Sequence, residues 1–366
     1  MKKTNKDSVQ KQQTALVFNL SGLGDTLLFL PALSLLKAQL PELRVVSMTM
    51  LKSCRDLLTA SPLVDEVLYH PILSSSFLKN LFFFMGLRGR HFDYGILPYA
   101  SNRIEYNVAS FLCGAQKRMG HRYQLDPYAS FTDLNHVIIR QVSTKHSVEE
   151  NRDLLVAGGL LNTETHDLSQ RNAITIPETD DQEAGAFFQK WIGRTIVGIH
   201  AGCNTLKNQH RRCYPPEKFA RVLNAIQKKN PDVFFAIFSG DADRALTSQL
   251  VPHLEPTSFE VIEPRSILVC AGLIRRCGYF ISNDSGLMHL AAYMKVPIVA
   301  IFGPTNPDFV HPWDVSHEVV RRGLPCQPCF NYSRRPLSCK EGIDFSCITD
   351  LAEMDVVNAF QKLRLK

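Results

Sequence analysis

The sequence predicts an α/β protein of two Rossmann-like domains, with parallel sheets that face each other across a cleft. Apolar runs of strand length alternate with helix-period segments along most of the 366 residues. The length also suits two domains, because one domain takes about 100–200 residues. A polar stretch at 162–182 indicates a linker, so we assign 1–180 to the first domain and 181–366 to the second.

In the first half, apolar runs of strand length alternate regularly with segments of helical periodicity. The predicted strands are 15–20, 44–50, 66–69 and 94–99. The predicted helices are 26–40, 53–60, 77–87, 102–113 and 148–160, whereas 124–145 is less regular. Because the strand segments are continuously apolar, we expect parallel strands that are covered on both faces.

The second half repeats this alternation. Its predicted strands are 195–200, 233–238, 259–262, 279–282 and 298–302. Its predicted helices are 216–229, 242–254, 267–277 and 287–295. Since open α/β sheets bind ligands at the carboxyl ends of their strands, the loops that follow the strands are the candidate sites.

The charge is divided unevenly between the halves. Lysine and arginine total 41 against 35 acidic residues, a net charge of +6. Residues 1–185 hold 19 basic and 19 acidic side chains, so the whole excess lies in the second half. This asymmetry favours an anionic ligand there, while +6 is too small for a dedicated nucleic-acid-binding protein.

The sequence predicts a cytoplasmic protein. Its first 14 residues are polar and lysine-rich, and the apolar run 15–20 is too short for a signal-peptide core. The sequence contains no run of about 18 apolar residues, so we predict no transmembrane helix. In such a protein we expect the ten cysteines to be thiols or metal ligands rather than a disulfide framework.

The loop after the first strand holds Ser21, Gly22, Gly24 and Asp25. Two glycines permit a tight turn and close approach of a ligand to the backbone. Asp25 is either the N-cap of the following helix or a catalytic base at the mouth of the cleft.

The loop after strand 195–200 begins with Gly202 and Cys203. It then carries four side chains that are or can be cationic: Lys207, His210, Arg211 and Arg212. Such a loop suits a diphosphate, because arginine and lysine pair with phosphate oxygens. The alternative is an exposed basic loop.

The loop after strand 279–282 contains Asp284, Ser285 and Gly286, with His289 four residues after Ser285. Backbone N–H groups at such a helix start can hold a phosphate, and an aspartate can accept hydrogen bonds from sugar hydroxyls. A capping aspartate and a buried histidine are the structural alternative. A rigid turn at 302–307 follows the last predicted strand and suits a pocket wall.

Taken in order, these loops resemble glycosyltransferase family 9, the ADP-heptose:lipopolysaccharide heptosyltransferases, which have the GT-B fold. The resemblance rests on segments 20–33, 200–223, 239–245 and 282–304. It implies an inverting enzyme that moves a heptose from ADP-heptose or a related nucleotide sugar to a lipopolysaccharide inner-core or lipid-linked acceptor. The first domain would bind the acceptor and the second the donor.

The resemblance also implies residue roles. Asp25 would be the general base, beside an acceptor-side loop of Ser21, Gly22 and Gly24. The donor-binding set would be Gly202, Cys203, Arg212, Gly240, Asp243, Asp284, Ser285, Gly286 and His289. Arg212 and Tyr214 stand where the family usually has a lysine and a tryptophan. No cofactor is expected for the transfer, since arginine and backbone amides can stabilise the leaving diphosphate.

Two alternatives remain open. The protein could transfer heptose to a protein or use another nucleotide sugar, as a cluster of cysteines suggests. It could instead be a non-catalytic nucleotide-binding member of the fold. The cluster consists of Cys326, Cys329, Cys339 and Cys347, and its spacing suits either a structural zinc or iron site or four reduced thiols.

The segment 82–90 combines an aromatic run with Arg88 and Arg90. It is either a core-facing helix with a solvated basic end or a surface that rests on lipid, which would allow peripheral contact with the cytoplasmic face of the inner membrane. Arg103, Arg118 and Arg122 are further candidates for binding an acidic acceptor. We expect no nucleic-acid partner.

Overall fold

The computed structural model describes residues 12–124, 130–164, 167–169, 173–204, 206–255, 257–330 and 336–366. Most of the polar N-terminus and part of the predicted linker therefore lie outside the described residues. The described chain forms two six-stranded parallel sheets with helices packed on them.

The first sheet has the strand order β3-β2-β1-β4-β5-β6. Its strands are β1 (Thr14–Asn19), β2 (Arg44–Thr49), β3 (Glu66–Tyr69), β4 (Tyr94–Ile96), β5 (Lys117–Arg122) and β6 (Val137–Arg140). The strands of the second sheet are β7 (Thr195–His200), β8 (Val233–Phe238), β9 (Phe259–Ile262), β10 (Tyr279–Asn283), β11 (Ile298–Ile301) and β12 (His317–Val320). The second sheet has the order β12-β11-β10-β7-β8-β9. Read from β9, it is the same 3-2-1-4-5-6 arrangement as in the first sheet, which confirms the predicted pair of Rossmann-like domains.

The helices follow the same alternation. In the first domain they are α1 (Leu23–Gln39), α2 (Lys52–Thr59), α3 (Phe77–Gly86), α4 (Ile104–Leu112) and α5 (Ser147–Ala157). The remaining helices are α6 (Glu178–Phe188), α7 (Pro216–Lys229), α8 (Arg244–Leu250), α9 (Ile267–Arg275), α10 (Gly286–Tyr293), α11 (Pro307–Val310), α12 (Ser346–Thr349) and α13 (Glu353–Arg364). Each residue of β8 is buried, as expected for a central parallel strand covered on both faces.

The structure adds elements that the sequence pattern did not predict. Strands β5, β6 and β12 lie at or next to a sheet edge; β6 and β12 have four residues each, and charged residues interrupt the apolar pattern of β5 and β12. Helix α6 begins inside the segment predicted as a linker and packs against α9. The boundary predicted at residue 180 therefore falls within a helix that packs on the second domain.

The two domains pack directly against each other. One apolar cluster includes Leu28 and Leu33 of α1 together with Leu290 and Ala291 of α10. The indole of Trp313 donates to the carbonyl of Leu168 at 2.9 Å, across the connection between the domains. This packing fixes the loops of one sheet opposite those of the other. Among the described residues, no helix has the length and apolar character needed to cross a membrane.

Candidate active site

A cleft of about 590 Å³ lies where the strand ends of the two sheets meet. The first domain contributes the loop 20–25, part of the loop before α3 and the start of α4. The second contributes Arg212 and the loop between β10 and α10. The predicted residues that line the cleft are Ser21, Gly22, Gly24, Asp25, Arg212, Asp284, Ser285, Gly286 and His289.

Asp25 faces the cleft from the first turn of α1. The helix begins at Leu23, three residues earlier than predicted, so Gly22 and not Asp25 occupies the N-cap position. The N–H of Gly22 donates to Oδ2 of Asp25 at 2.9 Å. The carboxylate thus satisfies an end group of the helix from the N3 position while it lines the cleft. The predicted N-cap role of Asp25 was therefore wrong in position, and its role as general base stays a prediction.

Glycines allow α1 and α10 to approach closely across the cleft. A Cβ on Gly24 would lie 2.5 Å from Cδ2 of His289, and a Cβ on Gly286 would lie 3.2 Å from Cβ of Leu23. Larger residues at these positions would push the two helices apart. The residue next to Asp25 therefore touches the helix that follows Asp284 and Ser285.

Arg212 is buried at the base of the cleft on the side of the second domain. One of its terminal nitrogens, Nη1, lies 2.5 Å from Oδ2 of Asp284 and donates to Oγ1 of Thr305 at 3.2 Å. Nη2 donates to Oε1 of Gln209 at 3.0 Å. The guanidinium carbon also lies 5.0 Å from the ring centre of Phe330. These contacts fix the fork of the arginine toward the cleft.

The other cations of this loop do not share that position. Arg211 pairs with Asp344, and its guanidinium lies over the ring of Phe345. Lys207 and His210 are also absent from the described lining of the cleft. Of these four predicted cations, the described cleft lining contains Arg212 alone, because a sequence pattern does not give the direction of side chains in an irregular loop.

Ser285 is held by a chain of hydrogen bonds that the sequence pattern did not predict. Its Oγ caps α10 by accepting from Met288 N at 3.3 Å and lies 2.9 Å from Nδ1 of His200. Nε2 of His200 lies 3.2 Å from Oδ2 of Asp243. His200 ends a strand, and that position is the signal that could have identified it. The chain fixes the N-terminal end of α10, which points its amides at the cleft.

The remaining donor-site candidates lie behind this chain. Gly202, Cys203, Gly240 and Asp243 are outside the cleft lining. A side chain at Gly202 would collide with the carboxylate of Asp243, so the glycine allows the strand end to approach the α8 loop. Asp243 acts on the site through His200, and the predicted donor contacts of all four residues stay predictions.

Two cysteines and a tyrosine anchor the loop that carries Arg212. The Sγ atoms of Cys203 and Cys213 lie 2.9 Å apart. The hydrogen bond to Cys203, followed by burial, raises the pKa of Cys213, so its thiol stays protonated. Tyr214 is fully buried, its N–H donates to Oδ1 of Asn283 at 3.0 Å, and its hydroxyl donates to the carbonyl of Leu351 at 3.1 Å. The tyrosine therefore has an anchoring role here.

Burial controls the protonation of His289. The side chain is almost completely enclosed, and this burial lowers its pKa to about 4. Its Nδ1 has no hydrogen-bond partner among the described residues, although the residue lines the cleft. The imidazole is therefore neutral near pH 7, and its Nδ1 is buried without a partner among the described residues.

The four-cysteine segment packs beneath Arg212. Cys347 is buried and the other three are half-buried. Burial first, and then Cys329, Cys326 and Cys339, raise the pKa of Cys347 to about 11. In the described part of the chain no group of three or more His, Cys, Asp or Glu side chains is arranged to hold a metal ion. The metal role stays a prediction.

The segment has a visible structural role. The N–H of Cys329 donates to the carbonyl of Pro304 at 3.0 Å, in the turn that supplies Thr305 to Arg212. The next residue, Phe330, lies under the guanidinium of Arg212. The segment therefore supports the cation in the cleft.

Of the three candidate arginines on the acceptor side, Arg103 lines the cleft. Arg118 donates instead to the carbonyl oxygens of Leu134 and Ala115, and Arg122 pairs with Asp133. The structure thus separates Arg103 from the other two.

Comparisons with known proteins agree with this architecture. Residues 83–339 match the family model described as glycosyltransferase family 9 (heptosyltransferase). The chain is 32% identical over 142 residues to lipooligosaccharide heptosyltransferase 2 of Campylobacter jejuni, a match that covers 37% of this chain and 43% of that enzyme. It is 24% identical over 326 residues to lipooligosaccharide heptosyltransferase 2 of Haemophilus ducreyi, covering 84% and 88% of the two chains.

A solved structure shows the same fold. The E. coli ADP-heptose lipopolysaccharide heptosyltransferase II superimposes with a TM-score of 0.70 at 19% identity, over 96% of this chain and 99% of that chain. At this identity the likeness shows the fold. The two sheets facing across a cleft are therefore a GT-B architecture, as predicted.

The buried His289 predicts a dependence of stability on pH. Its pKa is about 4 in the folded chain and about 6.5 in an unfolded chain, so the unfolded chain binds the proton first as the pH falls. The stability contributed by the neutral ring is present above pH 6.5 and is lost toward pH 4, a change of about 3 kcal/mol.

Denaturant unfolding of the wild type and of His289→Gln between pH 7 and pH 4 measures this change. We expect the difference between their free energies of unfolding to shift by about 3 kcal/mol in favour of the variant as the pH falls. A difference that stays constant with pH would contradict this account of His289.

Proposed function

The chain belongs to glycosyltransferase family 9, and we propose that it transfers a heptose from ADP-heptose to a lipopolysaccharide inner-core acceptor with inversion at the sugar carbon. The names of the relatives support the substrates. The observation that carries the proposal is that one cleft places Asp25 of the first domain opposite Arg212 and the start of α10 in the second.

In this proposal the donor diphosphate lies at the N-terminal end of α10. The amides of Gly286 and Leu287 and the guanidinium of Arg212 offer hydrogen-bond donors and positive charge to it. Asp284 orients Arg212 with one oxygen, and a carboxylate has a second oxygen that can accept from a sugar hydroxyl. The neutral His289 adds a hydrogen-bonding nitrogen.

The transfer itself needs few groups. Asp25 takes the proton from the acceptor hydroxyl as the acceptor oxygen attacks the sugar on the face opposite the diphosphate. Arg212 and the amides of α10 stabilise the charge that develops on the departing diphosphate, so the proposed step uses no cofactor. The close contact between Gly24 and His289 holds base and donor helix together and limits access of water to the reacting bond.

The acceptor enters from the first domain. Arg103 lines this part of the cleft, and its guanidinium lies 5.6 Å from the ring centre of Tyr106. It would pair with an acidic group of the acceptor. Because a lipopolysaccharide core is linked to lipid, the proposal includes a peripheral position at the cytoplasmic face of the inner membrane.

Asp25→Asn separates the two roles of this carboxylate. The amide keeps an oxygen that accepts from Gly22 N–H, so the start of α1 is preserved, but it cannot take a proton. We expect the turnover of ADP-heptose and acceptor to fall by roughly 10²–10⁴-fold with little change in thermal stability.

Asp56→Asn, on α2 outside the cleft, is the matched control and is expected to retain full turnover. Near-normal transfer by Asp25→Asn would show that the base has been misassigned.

The alternative donors and acceptors predict different ligand and metal binding by the purified protein. Thermal unfolding with ADP-heptose, UDP-sugars and no ligand, together with metal analysis of the purified protein, distinguishes them. We expect stabilisation by ADP-heptose and not by UDP-sugars. Stabilisation by UDP-sugars alone would favour another donor.

A bound zinc or iron that is lost in Cys329→Ser would assign the cysteine cluster as a structural metal site. Four free thiols in metal-free active protein would reject that role. A chain that binds the nucleotide sugar and never turns it over would be the non-catalytic member of the fold.

A further inference from the structure

Helix α3 is apolar on both of its faces, which is unusual for a helix at a protein surface. Its inner face carries the buried Phe84 and the half-buried Phe83, which stacks on His70 with the ring centres 4.0 Å apart. Its outer face carries Phe77, Leu78, Phe82 and Met85, which share one side at the i, i+1, i+5 and i+8 positions. The inner face already explains how the helix is anchored, so the outer face needs a separate explanation.

The outer face is exposed to an extent that is rare for large apolar side chains. Phe77 is 77% exposed, Phe82 71% and Leu78 60%. Leu73, in the loop before α3, is 58% exposed and extends the same apolar region. We call Leu73, Phe77, Leu78, Phe82 and Met85 the α3 surface. A contiguous apolar surface of this kind marks an interaction site in a folded protein.

The charged side chains of the segment that carries the α3 surface are all basic. Residues 67–92 contain no aspartate or glutamate and include Lys79, Arg88 and Arg90. Arg90 pairs with Glu66, whereas Lys79 and Arg88 are exposed and make no ion pair with a described residue. Aromatic side chains with flanking cations from the same segment complement a surface of anionic lipid headgroups over hydrocarbon.

The α3 surface is continuous with the mouth of the cleft. Leu73 belongs to it and also lines the cleft, next to Pro71 and Ser74. A bilayer that received Phe77 and Phe82 would therefore lie beside the entrance that leads to Asp25.

We propose that the α3 surface docks the protein on an anionic phospholipid bilayer, so that the cleft opens at the boundary between lipid and water. The reason for docking there rests on the proposed lipid-linked acceptor, whereas the docking itself rests on the exposure and charge of α3. The ring faces of Phe77 and Phe82 enter the headgroup region, and Lys79 and Arg88 contact lipid phosphates.

Sedimentation with lipid vesicles tests the docking without donor or acceptor. The wild type is expected to bind vesicles of phosphatidylglycerol and phosphatidylethanolamine and to bind phosphatidylcholine vesicles far more weakly. Phe77→Ser/Phe82→Ser should lose roughly tenfold or more of the binding, because each buried phenylalanine contributes at least this much. Lys79→Glu/Arg88→Glu should lose the preference for anionic vesicles.

Matched controls lie on the second domain. Ile192→Ser/Leu365→Ser removes side chains that are 84% and 89% exposed, and Lys228→Glu/Lys229→Glu reverses two exposed lysines. Both controls are expected to bind vesicles as the wild type does. Absence of vesicle binding by the wild type, or equal losses in the controls, would overturn the proposal, as would self-association through α3 in place of lipid binding.

Transfer to a soluble, deacylated acceptor separates this inference from the proposed function. The α3 variants should retain that activity and lose activity toward acceptor embedded in anionic vesicles. Vesicle binding without any transfer by the wild type would reject the proposed function and leave the docking surface in place. Loss of both activities in the α3 variants would show damage to the fold and contradict a docking role.

Discussion

The buried ion pair between Arg212 and Asp284 is the constraint on which the second half of the site depends. Both side chains are almost enclosed, so each charge has lost most of its hydration. Such a pair is retained only when geometry and further hydrogen bonds compensate for that loss, and removal of one partner costs about 3–5 kcal/mol. Gln209, Thr305 and Phe330 supply the additional contacts. The loops that provide these residues are therefore organised around one guanidinium.

This requirement connects parts of the chain that are distant in sequence. The cysteine segment packs on the turn that carries Thr305, while the Cys203–Cys213 contact closes the loop that carries Arg212. His200 and Asp243 fix the start of α10 from behind through Ser285. Across the cleft, Gly24 lets α1 approach His289. Asp25 and Arg212 thus lie on two domains whose helices α1 and α10 are in close contact at Gly24 and His289.

The sequence was most informative where burial is continuous. Interior strands such as β8 and β11 are apolar throughout, so their positions and the loops after them could be predicted. Strands β5 and β12 carry charged residues because they lie next to or at a sheet edge, and periodicity cannot detect such strands. Arg211 and Arg212 are indistinguishable by pattern, yet one faces Asp344 and the other the cleft. Which side chains of α3 are exposed and which groups His200 contacts depend on tertiary packing that no local pattern contains.

We propose that Arg212 holds the diphosphate of the donor, and calorimetric titration of the protein with ADP measures this role. Arg211→Gln is the control, because Arg211 pairs with Asp344 outside the cleft. Arg212→Gln removes the guanidinium alone. The double variant Arg212→Gln/Asp284→Asn removes the ion pair without leaving a buried charge unpaired. We expect ADP to bind Arg212→Gln and the double variant on the order of 10–100-fold more weakly, and to bind Arg211→Gln as tightly as the wild type. Unchanged affinity in Arg212→Gln would show that Arg212 does not hold the diphosphate.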